Sequence, residues 1–341
     1  MNLKTSLLLA CCGCALAARA VAAEPGYRVF ITNEGSGDVT VIDGASHRVT
    51  ATWPLGKRPR GLIGSRDHQH LFVAFSGSPL AGPGVDEKSL PPADKAADGI
   101  GIVRLSDGRL ERVLTGVSDP EQVAQSPDGT RLFVASEDSG VAVVVHIADG
   151  KILNSVDVGG EPEGLAVSHA AGLLGVTSEE GNSVALLALQ GSKMMARLPV
   201  GKRPRDLGFS PDGKLLFVSG ENDASLTVID VPGKTVRETL HVAGQGARPK
   251  GIAISPDGGR VYVTTGRGGH VEVLDTKSLK FIASIGVGMR PWGIGLSPDG
   301  HYLYTANGPS NDVSVVDTVE LKVIATLKAG DKPWGVAVVP D

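Results

Sequence analysis

Met289-Arg290-Pro291-Trp292-Gly293-Ile294-Gly295-Leu296-Ser297-Pro298-Asp299-Gly300 decides the fold, because it recurs. Arg248-Pro249-Lys250-Gly251-Ile252-Ala253-Ile254-Ser255-Pro256-Asp257-Gly258 repeats nearly all of it, and Lys332-Pro333-Trp334-Gly335-Val336-Ala337-Val338 repeats its first half. The anchoring prolines fall at 59, 120, 162, 204, 249, 291 and 333, spaced 61, 42, 42, 45, 42 and 42 residues apart. A fixed period of this length combined with strand patterning means a β-propeller or a similar array. Seven anchors mean seven units, and 341 residues then make one closed domain rather than several.

Each unit reads as four short strands. In the unit at Pro204 they are Leu207 to Ser210, Leu215 to Ser219, Leu226 to Asp230 and Val236 to Val242, here called A to D. Ser-Pro-Asp-Gly begins at 126, 210, 255 and 297 and joins A to B. Pro presets its own φ, Asp bonds nearby backbone, and Gly supplies φ > 0. Ser65-Arg66-Asp67-His68 and Ser168-His169-Ala170-Ala171 stand where this turn has decayed. Strand A alternates small and large residues, as in Gly293-Ile294-Gly295-Leu296. That pattern suits strands converging on a propeller axis.

The chain ends complete each other. Val336 to Val339 is a strand A with nothing after it, and Tyr27 to Asn33, Val39 to Ile42 and Val49 to Trp53 are B, C and D with no A before them. Their pairing predicts an all-β, seven-bladed propeller of four-stranded blades, closed by N-terminal strands against the C-terminal strand, with no open edge. The repeat places B-to-C and D-to-A connections on one face. Two length anomalies fall there: the insert Gly77 to Asp98, and the longer connection Ala243 to Ala247. Loops that long are usually functional or disordered, so the insert reads equally as a lid or an inert loop.

Residues 1–23 read as a secretory signal, with an apolar run Leu7 to Leu16 too short to span a bilayer and cleavage near Ala23. The propeller then occupies 24–341 in the periplasm or outside the cell. Cys11, Cys12 and Cys14 precede the cleavage point, which leaves a mature chain without disulfides. Leu8-Leu9-Ala10-Cys11 also resembles a lipid-attachment box, the rival reading. Loss of Lys4 and Arg19 takes the net charge from −4 to −6. No transmembrane segment is expected, and so acidic a body disfavours nucleic acid as a partner. We expect a monomer.

The residues flanking the prolines share the face of the insert. In ring order they are Arg58 and Arg60, Asp119 and Glu121, Glu161 and Glu163, Arg203 and Arg205, Arg248 and Lys250, Arg290 and Trp292, Lys332 and Trp334. Basic groups outnumber acidic ones, which focuses a positive field on the channel mouth. Like charges about 4 Å apart cost roughly 4 kcal/mol at an effective dielectric near 20, so an offset is needed from acidic neighbours or an anion. One reading is a site for an anionic, planar ligand held by Arg forks and the two Trp rims. The other is inheritance: each Arg flanks a needed Pro and faces solvent. Glu179-Glu180 and Asn307 fall in B-to-C loops of the same face, within reach of a ligand. His68-Gln69-His70 lacks Cys or carboxylate partners for a metal. Neither a Cys-x-x-Cys-His haem attachment nor a Gly-x-Ser-x-Gly elbow occurs. Asp43, Asp230, Asp275 and Asp317 end strand C in register and read as turn formers.

Phe30-Ile31-Thr32-Asn33, Tyr304-Thr305-Ala306-Asn307 and Val313-Ser314-Val315-Val316-Asp317 resemble the YVTN-type β-propeller repeat. With Arg58-Pro59-Arg60-Gly61 and Glu161-Pro162-Glu163-Gly164, the chain is similar to the secreted seven-repeat group associated with PQQ-dependent alcohol catabolism. That resemblance implies an accessory protein near a quinoprotein dehydrogenase or an ABC export component. It assigns no catalytic residue and no certain cofactor. PQQ, planar and carboxylated, becomes the candidate ligand, and the insert departs from the group's pattern. The alternative is a propeller enzyme, lactonase-like or lyase-like, or a tetrapyrrole-modifying relative of haem d1 propellers. No His flanks an anchoring proline to serve that last role as an axial ligand.

Overall fold

Each Ser-Pro-Asp-Gly turn folds on its own side chains. Ser210 Oγ donates to Asp212 Oδ1 at 2.7 Å and accepts the Leu215 amide at 2.9 Å, while Asp212 Oδ1 takes the Lys214 amide at 3.0 Å. Gly213 supplies the left-handed backbone at φ 70°. Ser65-Arg66-Asp67-His68 keeps the same turn without the glycine. Ser65 Oγ bonds Asp67 Oδ1 at 2.5 Å and accepts the His70 amide at 2.9 Å, and His68 takes φ 54°. The serine and aspartate therefore preserve the geometry where the glycine was lost.

These turns set up seven antiparallel four-stranded sheets in a computed structural model that describes residues 26–80 and 89–341. The expected signal and its cleavage point lie outside the described residues. Numbered from Pro59, blade 1 is Pro59–Gly64, His70–Phe75, Gly99–Arg104 and Leu110–Leu114. Blade 4 is Pro204–Phe209, Leu215–Gly220, Ser225–Asp230 and Thr235–His241. Blade 7 is assembled from both ends: Pro333–Pro340 pairs antiparallel with Tyr27–Asn33, from Tyr27 opposite Pro340 to Asn33 opposite Pro333. The predicted closure is the observed one.

Strand A begins three residues earlier than the alternation predicts, on the anchoring proline itself. Pro204 lies opposite Gly220, the register shifts, and Leu207 lies opposite Val218. Proline fits the first residue of a strand, where its missing N–H breaks no ladder. The irregularity recurs at Pro59, Pro120, Pro162 and Pro291. Such bulges re-aim side chains. Blade 5 is the exception, its strand A shortened to Ile252–Ile254 after the long connection.

Seven apolar clusters hold the ring. One joins Phe30, Val41 and Val339 of blade 7 to Leu71, Val73 and Val103 of blade 1, all buried. Polar latches add to them nearer the axis. Thr264 Oγ1 accepts the Gly251 amide of its own blade at 2.9 Å and donates to the Trp292 carbonyl of the next blade at 3.0 Å. Thr32 does the same between Gly335 and Arg60, and Ser219 between Asp206 and Lys250. This proximity explains the glycine two residues past the proline. A Cβ on Gly293 would lie 2.4 Å from the Trp334 carbonyl. Asp206 occupies that position in blade 4, and its carboxylate accepts the Ile252 amide at 2.8 Å beside the shortened strand. Burial pushes the Asp206 carboxyl up to about 6.

Candidate functional site

The residue before six of the seven anchoring prolines is held in an uncommon conformation, Arg248 being the exception. Arg58, Asp119, Glu161, Arg203, Arg290 and Lys332 all have φ between 35° and 55°. Residues preceding proline normally take extended backbone, so six repeated exceptions mark an over-determined rim. The first residue past strand B determines it. The Glu34 amide donates to the Lys332 carbonyl at 3.0 Å, Glu179 to Glu161 at 3.0 Å, and Glu221 to Arg203 at 3.1 Å. The bend points residue Pro−1 toward the mouth of a funnel and the bulge points residue Pro+1 into its throat.

All the predicted site residues except Asn307 and Glu179 line this one cavity, of about 1470 Å³. Asn307 is the last residue of strand Tyr302–Asn307 and fully buried. Its Nδ2 donates to Asp312 Oδ1 at 2.6 Å and Ser314 Oγ at 3.0 Å, so it ties strand B to strand C and offers nothing to a ligand. The insert reaches the cavity through its described stems. Ser78, Pro79, Leu90, Pro91 and Lys95 are part of the wall, and Arg58 donates to the Ser78 carbonyl at 2.8 Å.

The expected net positive ring is corrected by four carboxylates in one repeat position. Glu34, Glu137, Glu179 and Glu221 each follow strand B, and three of them line the cavity. Two arginines in the throat are wrapped by acids. Arg60, 3% exposed, pairs with Asp119 and Glu137 at 3.2 Å each and with Glu121. Arg205, 8% exposed, pairs with Glu163 at 2.5 Å, with Glu221 at 3.5 Å and with Glu179. Burial, with Asp119 and Glu163 nearby, pushes the Glu137 carboxyl up to about 7 despite Arg60. Burial also acts on Glu221, yet Lys250, Arg205 and Arg203 outweigh it and hold that carboxyl below its ordinary value.

The opposite arc is built differently. Arg248, Arg267, Arg290 and Lys332 line it, and none is ion-paired among the described residues. Arg248 bonds only the Asn222 amide oxygen, at 2.5 Å. Trp292 and Trp334 lie beside them with ring centroids 6.0 Å apart at 48°. Lys250 Nζ stands 3.5 Å above the Trp292 ring, with the Arg290 and Arg205 guanidiniums 5.4 and 5.7 Å away. Such contacts hold cations over the negative face of an indole. Burial and then the Arg267 charge lower the Arg290 pKa, a sign of like-charge crowding.

The funnel is thus bipolar, with acids on blades 2 and 3 and open cations with two indoles on blades 5 to 7. Such a site can hold carboxylates against the cations and an apolar ring against Trp292 and Trp334. Among the described residues no group of three or more His, Cys, Asp or Glu is placed to hold a metal ion. No described helix is long and apolar enough to cross a membrane. Asp43, Asp230, Asp275 and Asp317 do form turns: Asp230 Oδ2 takes the Gly233 amide at 2.7 Å. Sequence reasoning missed Glu34, Glu137 and Arg267, although the position after strand B was legible from the repeat.

The YNCE-like beta-propeller family matches residues 81–341, and the chain belongs to it. No curated protein matches. A protein of unknown function from Desulfotomaculum acetoxidans is similar in structure at TM-score 0.76 and 16% identity, over 92% of this chain and 99% of that one. Hydrazine synthase of Kuenenia stuttgartiensis is similar at TM-score 0.72 and 19% identity, over 90% and 99%. The dihydro-heme d1 dehydrogenase NirN, solved with DHE, is similar at TM-score 0.62 and 16% identity, over 88% of this chain and 63% of that one. At these identities the likeness is one of fold.

Proposed function

We propose that this YNCE-like propeller is an exported, non-enzymatic accessory protein whose funnel binds an anionic small molecule bearing a planar ring. One observation carries the reading. Arg248, Arg267, Arg290 and Lys332 crowd one arc beside Trp292 and Trp334 with no ion pair among the described residues, while Arg58, Arg60, Arg203 and Arg205 are all paired. A ligand carboxylate relieves that crowding and gains charge-assisted bonds. An apolar ring gains the indole faces.

PQQ meets both requirements, and the resemblance to the group linked with PQQ-dependent alcohol catabolism makes it the first ligand to test. In that setting the partner is a periplasmic quinoprotein dehydrogenase or an ABC export component. Trp292 and Trp334 lie in the cavity and serve as reporters. PQQ titrated into the mature protein is expected to change tryptophan fluorescence and release heat with one saturable site. No response up to high micromolar PQQ would remove it as the ligand. Saturable binding that Arg290→Ala leaves unchanged would remove this arc as the site.

A further inference from the structure

Lys250 presents a buried amine to the throat of the funnel. Its residue is 5% exposed, yet it lines the cavity. Its backbone is fixed on both sides: the amide donates to the Thr264 carbonyl at 2.9 Å, and the carbonyl accepts Ser219 Oγ at 2.6 Å. Nζ rests 3.5 Å over the Trp292 ring. Among the described residues its one carboxylate ion-pair contact is Glu221 Oε2 at 3.7 Å, beyond hydrogen-bond distance, and that carboxylate is shared with Arg203 and Arg205.

We propose that Lys250 condenses with a carbonyl-bearing anion, such as a 2-oxo acid or an ortho-quinone carboxylate, to form an imine in the throat of the funnel. The inference rests on the anion-binding reading and deepens it. The open cations hold the ligand's carboxylate and so bring its carbonyl carbon to Nζ. The amine lone pair forms the C–N bond as the carbonyl π bond breaks onto oxygen. Glu221 takes a proton from nitrogen and passes it to that oxygen, giving a carbinolamine. Glu221 then relays the second nitrogen proton to the hydroxyl, the C–O bond breaks, and water leaves as the C=N bond forms. One water is lost and no electrons are gained or lost, so no further reagent is required.

The surroundings favour the neutral amine. Burial first, then Arg205 on strand Pro204–Phe209 and Arg203 just before it, depress the Lys250 ammonium to about 7, against opposition from Glu221 after strand Leu215–Gly220 and from Glu163 on Pro162–Ser168. A desolvated lysine beside another cation is a recognised route to a nucleophilic amine.

Glyoxylate with cyanoborohydride tests this in the whole mature protein. The imine, once reduced, leaves one carboxymethyl group that peptide mapping locates. We expect Lys250 to label at least about tenfold faster than the exposed lysines at pH 7. The Lys250 rate should rise with pH to half its maximum near pH 7. Carbonyl-free oxalate, a competitor for the cations, should suppress it. Lys250→Arg should lose the fast label and keep oxalate binding as read by tryptophan fluorescence. Should that variant fail to fold, the map of the unmutated protein decides alone. Labelling of Lys250 no faster than that of exposed lysines overturns the imine. If oxalate still binds in that case, the anion site stands without it; if oxalate does not bind, both readings fall.

Discussion

The two halves of the funnel use the same repeat positions for opposite purposes. In blades 1 and 4 the cations beside the prolines meet carboxylates from the position after strand B: Glu34 reaches Arg58, and Glu179 reaches Arg203 and Arg205. Each of these acids acts on the following blade. In blades 5 and 6 that position is Gly266 and Gly308, and Arg290 and Lys332 form no ion pair among the described residues. Where the glutamate gives way to glycine, the cations of the following blade are left open to the cavity. Arg58, Arg203 and Arg205, preceded around the ring by glutamate, are paired, and Arg290 and Lys332, preceded by glycine, are unpaired among the described residues; Arg248 departs from this pattern, because Glu221 turns to Lys250 and Arg205 instead.

The largest expected effect breaks the paired half. Arg205→Met strands Glu163, Glu179 and Glu221 in the throat, and should lower unfolding free energy by about 3–5 kcal/mol, read from urea midpoints. Arg290→Ala, in the open half, should stay within about 0.5 kcal/mol of the parent. Equal losses would erase the distinction between the arcs.

Gly308→Glu sharpens the comparison by giving the open half the missing acid. A Cβ there meets only the Pro333 carbonyl at 3.6 Å and atoms at 3.9 Å, so the side chain fits. Anion affinity should fall about tenfold, ~1.4 kcal/mol, with the thermal midpoint nearly unchanged. Unchanged affinity in a folded variant would show that the charge of this arc does not set binding.

Thr264→Val removes a latch common to both halves and should cost about 1 kcal/mol without altering ligand affinity. A change in affinity larger than the change in stability would make the latch part of the site.

A further effect is a slope with pH. Folding raises the Glu137 carboxyl from its ordinary 4.5 to about 7, because burial disfavours its charge. The folded chain then binds more protons than the unfolded one between those values. This contribution to stability is complete below the ordinary value and is lost as pH rises through about 7. Glu137→Gln should therefore gain on the parent between pH 5 and pH 8 in urea midpoints. A constant difference across that interval would mean Glu137 stays ionised beside Arg60.

The predicted site was legible as positions and only partly as chemistry. The proline period located Arg58 through Trp334 on one rim, and the structure brings them to one cavity. It did not reveal that Arg60 and Arg205 are saturated, because their partners come from neighbouring blades. Asn307 was misplaced for a related reason: the end of strand B and the start of the loop differ by one residue, and that residue turns from Ser314 to the cavity.

The sequence by itself determined the number of blades, their strand order and the joining of the two ends, since these follow from a period and an alternation that are local along the chain. Only the tertiary structure decided which charges cancel. Ion pairing depends on distances of a few ångströms between residues of different blades, and it was the curvature of the ring, not the repeat, that set Glu179 against Arg205 and left Arg290 open.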